Sequence, residues 1–214
     1  MKLISVNVGL PSEIVWKDQV VETGIFKEPV AGRVKVGRLN IDGDRQADLT
    51  VHGGADKAIY VYPSEHYEFW RGELPQVDLP WAAFGENLTT EGLLEDQVNI
   101  GDRFRIGTIE VMVTQPRMPC YKLAAKFARD DIIKRFLASR RSGFYLAILQ
   151  EGEIGVGDEV IQISRDANNV TVTDIVRLHV EKRKDFELMK RAVQVEALPK
   201  GWRTHFLDQL TARD

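Results

Sequence analysis

A single cysteine, Cys120, occurs in 214 residues. One thiol cannot close an internal disulfide, so the fold must be held by packing alone, as suits a reducing, cytoplasmic setting. No apolar run approaches the roughly 20 residues that a membrane-spanning helix needs. The opening MKLISVNVGLPSE reaches proline and glutamate too soon for a signal-peptide core. No membrane partner is therefore expected. Positive charge is not in excess either: 29 Lys and Arg stand against 32 Asp and Glu, and the aromatic residues are not interleaved with basic ones. That pattern gives no support to a nucleic-acid partner. What is present is 43% hydrophobic residues, enough for one sizeable core.

Local charge departs from the global balance. Between Gln115 and Arg129 there are four cations, Arg117, Lys122, Lys126 and Arg129, and no acid. The thiol lies inside that stretch.

Short alternating segments fill the first two thirds: KLISVNVG, Ala31 to Leu39, Ala58 to Tyr62, Gln97 to Ile100, RFRIG and TIEVMVTQP, with glycine-rich turns between them. Many short strands so joined predict a barrel or strongly curved sheet. Helical spacing runs from about Cys120 to Arg140, with a break near Asp130-Asp131, and strands return at Gly143 to Leu149 and Glu159 to Ile163. Two strands open on similar words, VNIGDRFRI and IGVGDEVIQI, as paired hairpins of one closed sheet would. After Ser164 the polar linker DANNV leads to three amphipathic patterns, capped at Thr173 or Asp174, at Asp185 and at Pro199. This defines two segments, a β-rich domain over 1–164 and a helical segment over 165–214. The second is too short for a core of its own, so it is expected to pack on the first or on another subunit, which leaves a homodimer open.

A free cysteine is most often a small buried hydrophobe. Here Pro119 suits a first helical turn, so Cys120 is expected near a helix N-terminus whose N–H groups favour a thiolate, with Arg117 and Lys122 acting in the same direction. Such a thiolate serves either as a nucleophile or as a soft metal ligand. A nucleophile needs a base, for which His52 and His66 are candidates; His66, in PSEHYEFW, reads as a surface or structural residue. For a hydrolase no third, orienting residue can be named.

His52 follows a polar loop in which Asp42, Asp44, Arg45, Asp48, Asp56 and Lys57 crowd together. Asp44, Asp48 and His52 offer hard-metal ligands, but a spacing of four needs a helix and Gly53-Gly54 argues against one. Anion recognition suits the loop better, with Arg45 for a bidentate contact and the Gly53-Gly54 backbone approaching the ligand; a solvated hairpin is the plain alternative. In FGENLTTEGL, Glu86 and Asn87 place a carboxylate and an amide after the turn residue Gly85. GEIGVGD has the wrong glycine spacing for a dinucleotide loop and is followed by a strand pattern.

Together, GDRQADLTVHGGADKAIYVYPSEHY, FGENLTTEGL, IGDRFRIG and above all TQPRMPCYKL resemble the MOSC domain family, in particular its YiiM-like branch, in the expected order over most of residues 1–164. The trailing helical segment resembles that branch's C-terminal appendage. The resemblance implies a mixed α/β, β-rich fold, a MOSC-type β-barrel with a few helices and a three-helix C-terminal segment. It also implies that the molybdenum cofactor, a pterin dithiolene with a phosphate, binds with Cys120 as the protein sulfur on the metal. A soft thiolate is the right donor type for such a centre, and basic surroundings suit an anionic cofactor.

The activity implied is reduction of N-hydroxylated compounds, nucleobases, hydroxylamines or amidoximes, from N–OH to N–H and water, as a detoxification. The alternative is a carrier of the cofactor, or of sulfur as a Cys120 persulfide. Under the first reading Arg45, Arg117 and Lys122 hold the phosphate or pterin, Asn87 and the Gly53-Gly54 backbone bind cofactor edges, and His52 delivers a proton. The chain has neither the cysteines for an iron–sulfur cluster nor a flavin fingerprint, so electrons are expected from a separate flavoprotein or small carrier.

Overall fold

Ile109, Val111 and Val113 share one face of an alternating run, and all three are fully buried in the strand they form. The chain is described by a computed structural model over residues 1–47 and 53–212. In chain order its strands are β1 (Lys2–Val8), β2 (Ser12–Trp16), β3 (Gln19–Thr23), β4 (Glu28–Pro29), β5 (Arg33–Val36) and β6 (Ile59–Pro63). They continue with β7 (Leu88–Glu91), β8 (Arg103–Ile106), β9 (Ile109–Pro116), β10 (Phe144–Gln150), β11 (Gly152–Gly155) and β12 (Val160–Ser164). The helices are α1 (His66–Glu73), α2 (Tyr121–Phe127), α3 (Ile132–Ser139), α4 (Val172–Val180), α5 (Phe186–Ala192) and α6 (Lys200–Thr211), and Ala55–Lys57 forms a 3-10 turn.

Eight strands make one sheet in the order β12-β8-β9-β10-β6-β7-β1-β4, antiparallel throughout except for the parallel β6–β7 pair. The expected barrel is not a closed ladder. The outer edge of β1 is split: Asn7 and Val8 pair with β4, while its first residues meet only the turn before β12. There Leu3 N donates to Asp158 O at 2.9 Å, Gly157 N to Leu3 O at 2.8 Å and Val160 N to Met1 O at 3.0 Å. The mixed, β-rich class is as expected; the sheet curls until its ends touch without forming a further ladder.

The two similar words do pair, as β8 and β12. Each brings a positive-φ glycine, Gly101 or Gly157, before an aspartate that takes a backbone N–H from three residues earlier. Asn99 N donates to Asp102 Oδ2 at 3.0 Å, and Gly155 N to Asp158 Oδ2 at 2.9 Å. That turn explains why Gln97 to Ile100 is no strand: it contributes only a bridge, Asn99 to Thr171.

The helical break falls where expected, with Ala128 left-handed at φ 49° and α3 resuming at Ile132. The cap of α4 is Thr171 and not Thr173. Its Oγ1 accepts from Asp174 N, and Asp174 Oδ2 accepts from Thr171 N, each at 3.1 Å, a reciprocal capping box. Asp185 caps α5 and Pro199 opens α6.

The C-terminal helices pack on the sheet. Ile175, Leu178, Met189, Val195 and Phe206 belong to the same buried cluster as Val6, Ile59, Val111 and Leu146. A second, aromatic cluster of Tyr60, Tyr62, Tyr67, Trp70, Phe84 and Phe136 joins α1, α2 and α3 to β6.

Because Phe206 is fully buried, Phe206→Ala should cost about 3–5 kcal/mol. At roughly 2–4 °C per kcal/mol for a chain this size, calorimetry should show one transition moved down by about 6–20 °C. Two separate transitions would mean that the helices are not part of the common core.

Candidate functional site

Strand β9 delivers the central residues. It ends at Pro116 opposite Phe144 of β10, and the next residue, Arg117, donates its N–H to Gly143 O at 3.2 Å. Gly143 is itself fixed: its N–H donates to Glu95 Oε1 at 2.7 Å, and the other oxygen of Glu95 holds His66 Nε2 at 2.7 Å. His66 is thus a buried structural residue, as its sequence context suggested. Gly143 has φ 62°, and a Cβ there would come within 2.3 Å of Val61 O, so no other residue fits.

Held this way, the Arg117 side chain turns inward. It is 5% exposed, with its guanidinium 5.4 Å from the Tyr60 ring and 5.1 Å from the Phe136 ring. Its Nη1 is buried without a hydrogen-bond partner. Burial works against its charge, but Tyr60, Tyr145 and Cys120 hold its pKa above the ordinary value.

Three residues further on, Cys120 occupies the N-cap position of α2, extended at φ −123° and partly exposed. Pro119 lies one residue outside the helix. Lys122, in the first turn, is buried. Arg117, Cys120 and Lys122 line one hollow of about 90 Å³ together with Lys27, Asp44, Lys57, Tyr60, Asn87 and Tyr145. Among the described residues its walls carry four cations, Lys27, Lys57, Arg117 and Lys122, against the one carboxylate of Asp44.

That carboxylate is already committed. Asp44 Oδ1 accepts from Gly9 N at 3.0 Å and pairs with Lys27, both side chains being buried. Asp44 Oδ2 is left without a partner. Asn87 frames the wall: its Oδ1 accepts from Tyr60 N at 3.1 Å and its Nδ2 donates to Asn7 O at 3.4 Å. Glu86 faces away from the hollow, accepting from the Tyr67 hydroxyl, Ala82 N, Phe84 N and Thr89 Oγ1, while burial pushes its pKa up. Beside it, Lys126 donates to Ile25 O at 3.0 Å and Ala82 O at 2.6 Å, and burial lowers its pKa to about 8.

Of the residues singled out in the sequence, Cys120, Arg117, Lys122 and Asn87 are brought together. Arg45 is not. It is exposed and outside the lining, its backbone N–H pinned to Gly9 O at 3.0 Å. Gly53 and Gly54 line a neighbouring hollow of about 540 Å³, which shares Lys57 with the first. His52 and Asp48 lie outside the described residues. Lys27, Tyr60 and Tyr145 were not singled out as site residues in the sequence; the pairing of β10 with β6 sets Tyr145 opposite Tyr60, and an ion pair with Asp44 holds Lys27 from the loop before β4.

The sequence profile of the MOSC domain matches residues 48–161, and that of the YiiM-like, 3-alpha helix domain matches residues 170–213. An uncharacterized protein of Bacillus subtilis (strain 168), YflK, is 40% identical over 205 residues, 96% of this chain and 92% of that one. A protein of Gibberella moniliformis named a reductase is 30% identical over 178 residues, 82% of this chain but 32% of its own. The crystal structure of YiiM from Geobacillus stearothermophilus superposes with a TM-score of 0.82 at 36% identity, covering 98% of each chain.

The buried ionisable groups set a pH signature. The pKa values of Lys126, Lys27 and Lys57 are lowered, so the folded state binds fewer protons than the unfolded one above about pH 8, and stability rises with pH toward 10. Tyr60, Tyr62, Tyr67 and Tyr145 are raised above their ordinary value of 10.0 by burial, which reverses the slope beyond that point. Lys126→Met should remove up to about 1.4 kcal/mol per pH unit of that rise. Denaturant midpoints measured from pH 7 to 10 test this; parallel curves for variant and wild type would sink it.

Proposed function

We propose, since the chain belongs to the MOSC domain family and carries the YiiM-like three-helix domain, that it is a molybdenum-cofactor-dependent oxidoreductase acting on N-hydroxylated compounds. The net reaction converts N–OH to N–H and water with two electrons and two protons. The observation that carries this reading is the hollow beside Cys120, where a thiol and the buried, unpartnered Nη1 of Arg117 share one cation-rich wall. An orphaned buried guanidinium nitrogen costs free energy until an acceptor meets it, so it fits an anionic ligand. The fungal relative named a reductase adds support for redox chemistry in the family.

The residues present fit the cofactor in kind. Cys120 would be the protein ligand to molybdenum, and Arg117 and Lys122 would hold the phosphate or pterin. Asn87 shapes the wall and keeps Tyr60 in place. At about 90 Å³ the hollow is smaller than the roughly 300 Å³ of sites that enclose a whole ligand. The hollow would therefore hold only part of a pterin-sized group. When bound, the cofactor would supply the two-electron redox chemistry.

The chain itself supplies charge and position. Its four lining cations offset an anionic ligand's charge, and the Arg117 side chain is already buried against the Tyr60 and Phe136 rings, so little side-chain entropy remains to be lost on binding. Burial lowers the Lys57 ammonium, which brings proton release from its Nζ closer to neutrality on the side where the two hollows meet. Electrons come from a separate flavoprotein or small carrier.

Molybdenum content of protein made in a cofactor-producing host tests the reading. Cys120→Ser and Arg117→Met should each lower it by about 10- to 100-fold at limiting cofactor and abolish turnover of an N-hydroxylated purine with an artificial electron donor. Equal metal in wild type and Cys120→Ser would remove the cysteine as anchor. Fully loaded wild type that reduces no N-hydroxylated compound, with persulfide found on Cys120, would hand the site to sulfur transfer.

A further inference from the structure

The larger hollow, of about 540 Å³, has neither Cys120 nor Arg117 in its lining. One side is bare backbone and the 3-10 turn, Gly53 to Lys57; the other comes from the C-terminal helices, with His179 from α4 and Gly201, Trp202 and His205 from α6. Gln115 of β9 ties the two sides together. Its Oε1 accepts from Trp202 Nε1 at 3.0 Å, and its Nε2 donates to Asp56 O at 3.4 Å.

The indole is therefore oriented, not loose. Phe206 packs beside it at 5.8 Å between ring centroids, and the His179 ring meets it edge-on at 5.3 Å. His205 is held by Gln209, whose Nε2 donates to its Nε2 at 2.7 Å. The lining thus combines flat rings fixed in place with glycine backbone that lets a ligand come close. Gln115 lies two residues before Arg117 and five before Cys120 on the same run of chain, and Lys57 lines both hollows.

We infer that this second hollow is the substrate subsite: it takes an uncharged planar heteroaromatic ring against Trp202, presenting the ring's N-hydroxyl group toward the Cys120 hollow. This rests on the reductase reading for its purpose, but the ring-binding site stands on its own geometry. Flat faces with adjacent bare peptide suit a planar ring better than a flexible chain, because base–aromatic stacking is tolerant of ring identity and gains little from saturated groups. His179 is held toward its neutral form by burial and by repulsion from His205 and Lys184, and on the opposite side Asp56 and Lys57 offset each other, which leaves a charged ligand little to gain. The C-terminal helices thereby act in selectivity, since without α6 the hollow has no second wall.

Gly201 allows a clean block. A Cβ there meets nothing within 4 Å outside its own helix, so Gly201→Leu grows into open space and replaces a poor helix former with a good one. The test uses the full chain with adenine as a ring probe, followed by the Trp202 indole N–H resonance, which is assigned by its loss in Trp202→Phe. Adenine should shift that resonance in wild type and not in Gly201→Leu, with the variant's thermal midpoint equal or higher. In cofactor-loaded enzyme, Gly201→Leu and Trp202→Ala should raise the KM for an N-hydroxylated purine relative to a small aliphatic hydroxylamine by about tenfold or more, and Trp202→Phe should restore most of the preference.

Ring binding without any reduction would keep the subsite and remove the reductase reading. Reduction with a KM ratio untouched by either variant would overturn the subsite and keep the reductase. Lower molybdenum content in Gly201→Leu would assign the hollow to the cofactor and overturn the inference as well.

Discussion

A guanidinium group taken out of water is the constraint around which this protein is arranged. Burying an unpaired cation costs several kcal/mol, and Arg117 is buried with one nitrogen unpartnered. Ring faces of Tyr60 and Phe136 return part of that cost. The rest is imposed by the scaffold: β9 and β10 set the backbone, Gly143 permits the close approach, and the Glu95–His66 pair holds Gly143. A strained electrostatic element of this kind persists only where the surrounding fold over-determines it, and such elements cluster at functional sites.

Around that cation the charges are layered. Lys27, Lys57 and Lys122 line the hollow with the thiol, Asp44 pairs with Lys27 there, and outside the lining Glu86 and Lys126 spend hydrogen bonds on backbone groups at Ala82, Phe84 and Ile25. Glu86 is turned to structural work, while Lys57, Arg117 and Lys122 face the hollow. Overall acidity therefore says nothing about local potential, and a chain of net charge −3 builds a cationic pocket.

The legible part of the site was the part written contiguously. Arg117, Cys120 and Lys122 follow one another where a strand ends and a helix begins, so alternation and helical spacing alone predict their proximity. Tyr60 and Tyr145 meet through the non-local pairing of β10 with β6, and Lys27 arrives from a loop, so their convergence on the cysteine leaves no local trace. Arg45 had the right chemistry in a suggestive loop, but its backbone is tied to Gly9 and its side chain goes to solvent. The fold class was readable from many short strands, yet the β2–β3 hairpin was not. Its turn places Lys17 and Asp18 at positive φ, where Asn-Gly would have signalled the reversal. Closure of the barrel was over-read because periodicity reports which residues pair with a sheet, not whether two edges complete a ladder.

The hydrogen bond from Trp202 to Gln115 divides the labour between the parts of the chain. The hollow beside Cys120 is lined wholly by residues between Thr23 and Tyr145, whereas the aromatic wall of the second hollow belongs to helices that follow in the chain. Under the proposed reading, ring preference would be retuned by exchanging tails while the Cys120 hollow stays untouched, as one swaps the jaw of a tool while keeping its handle.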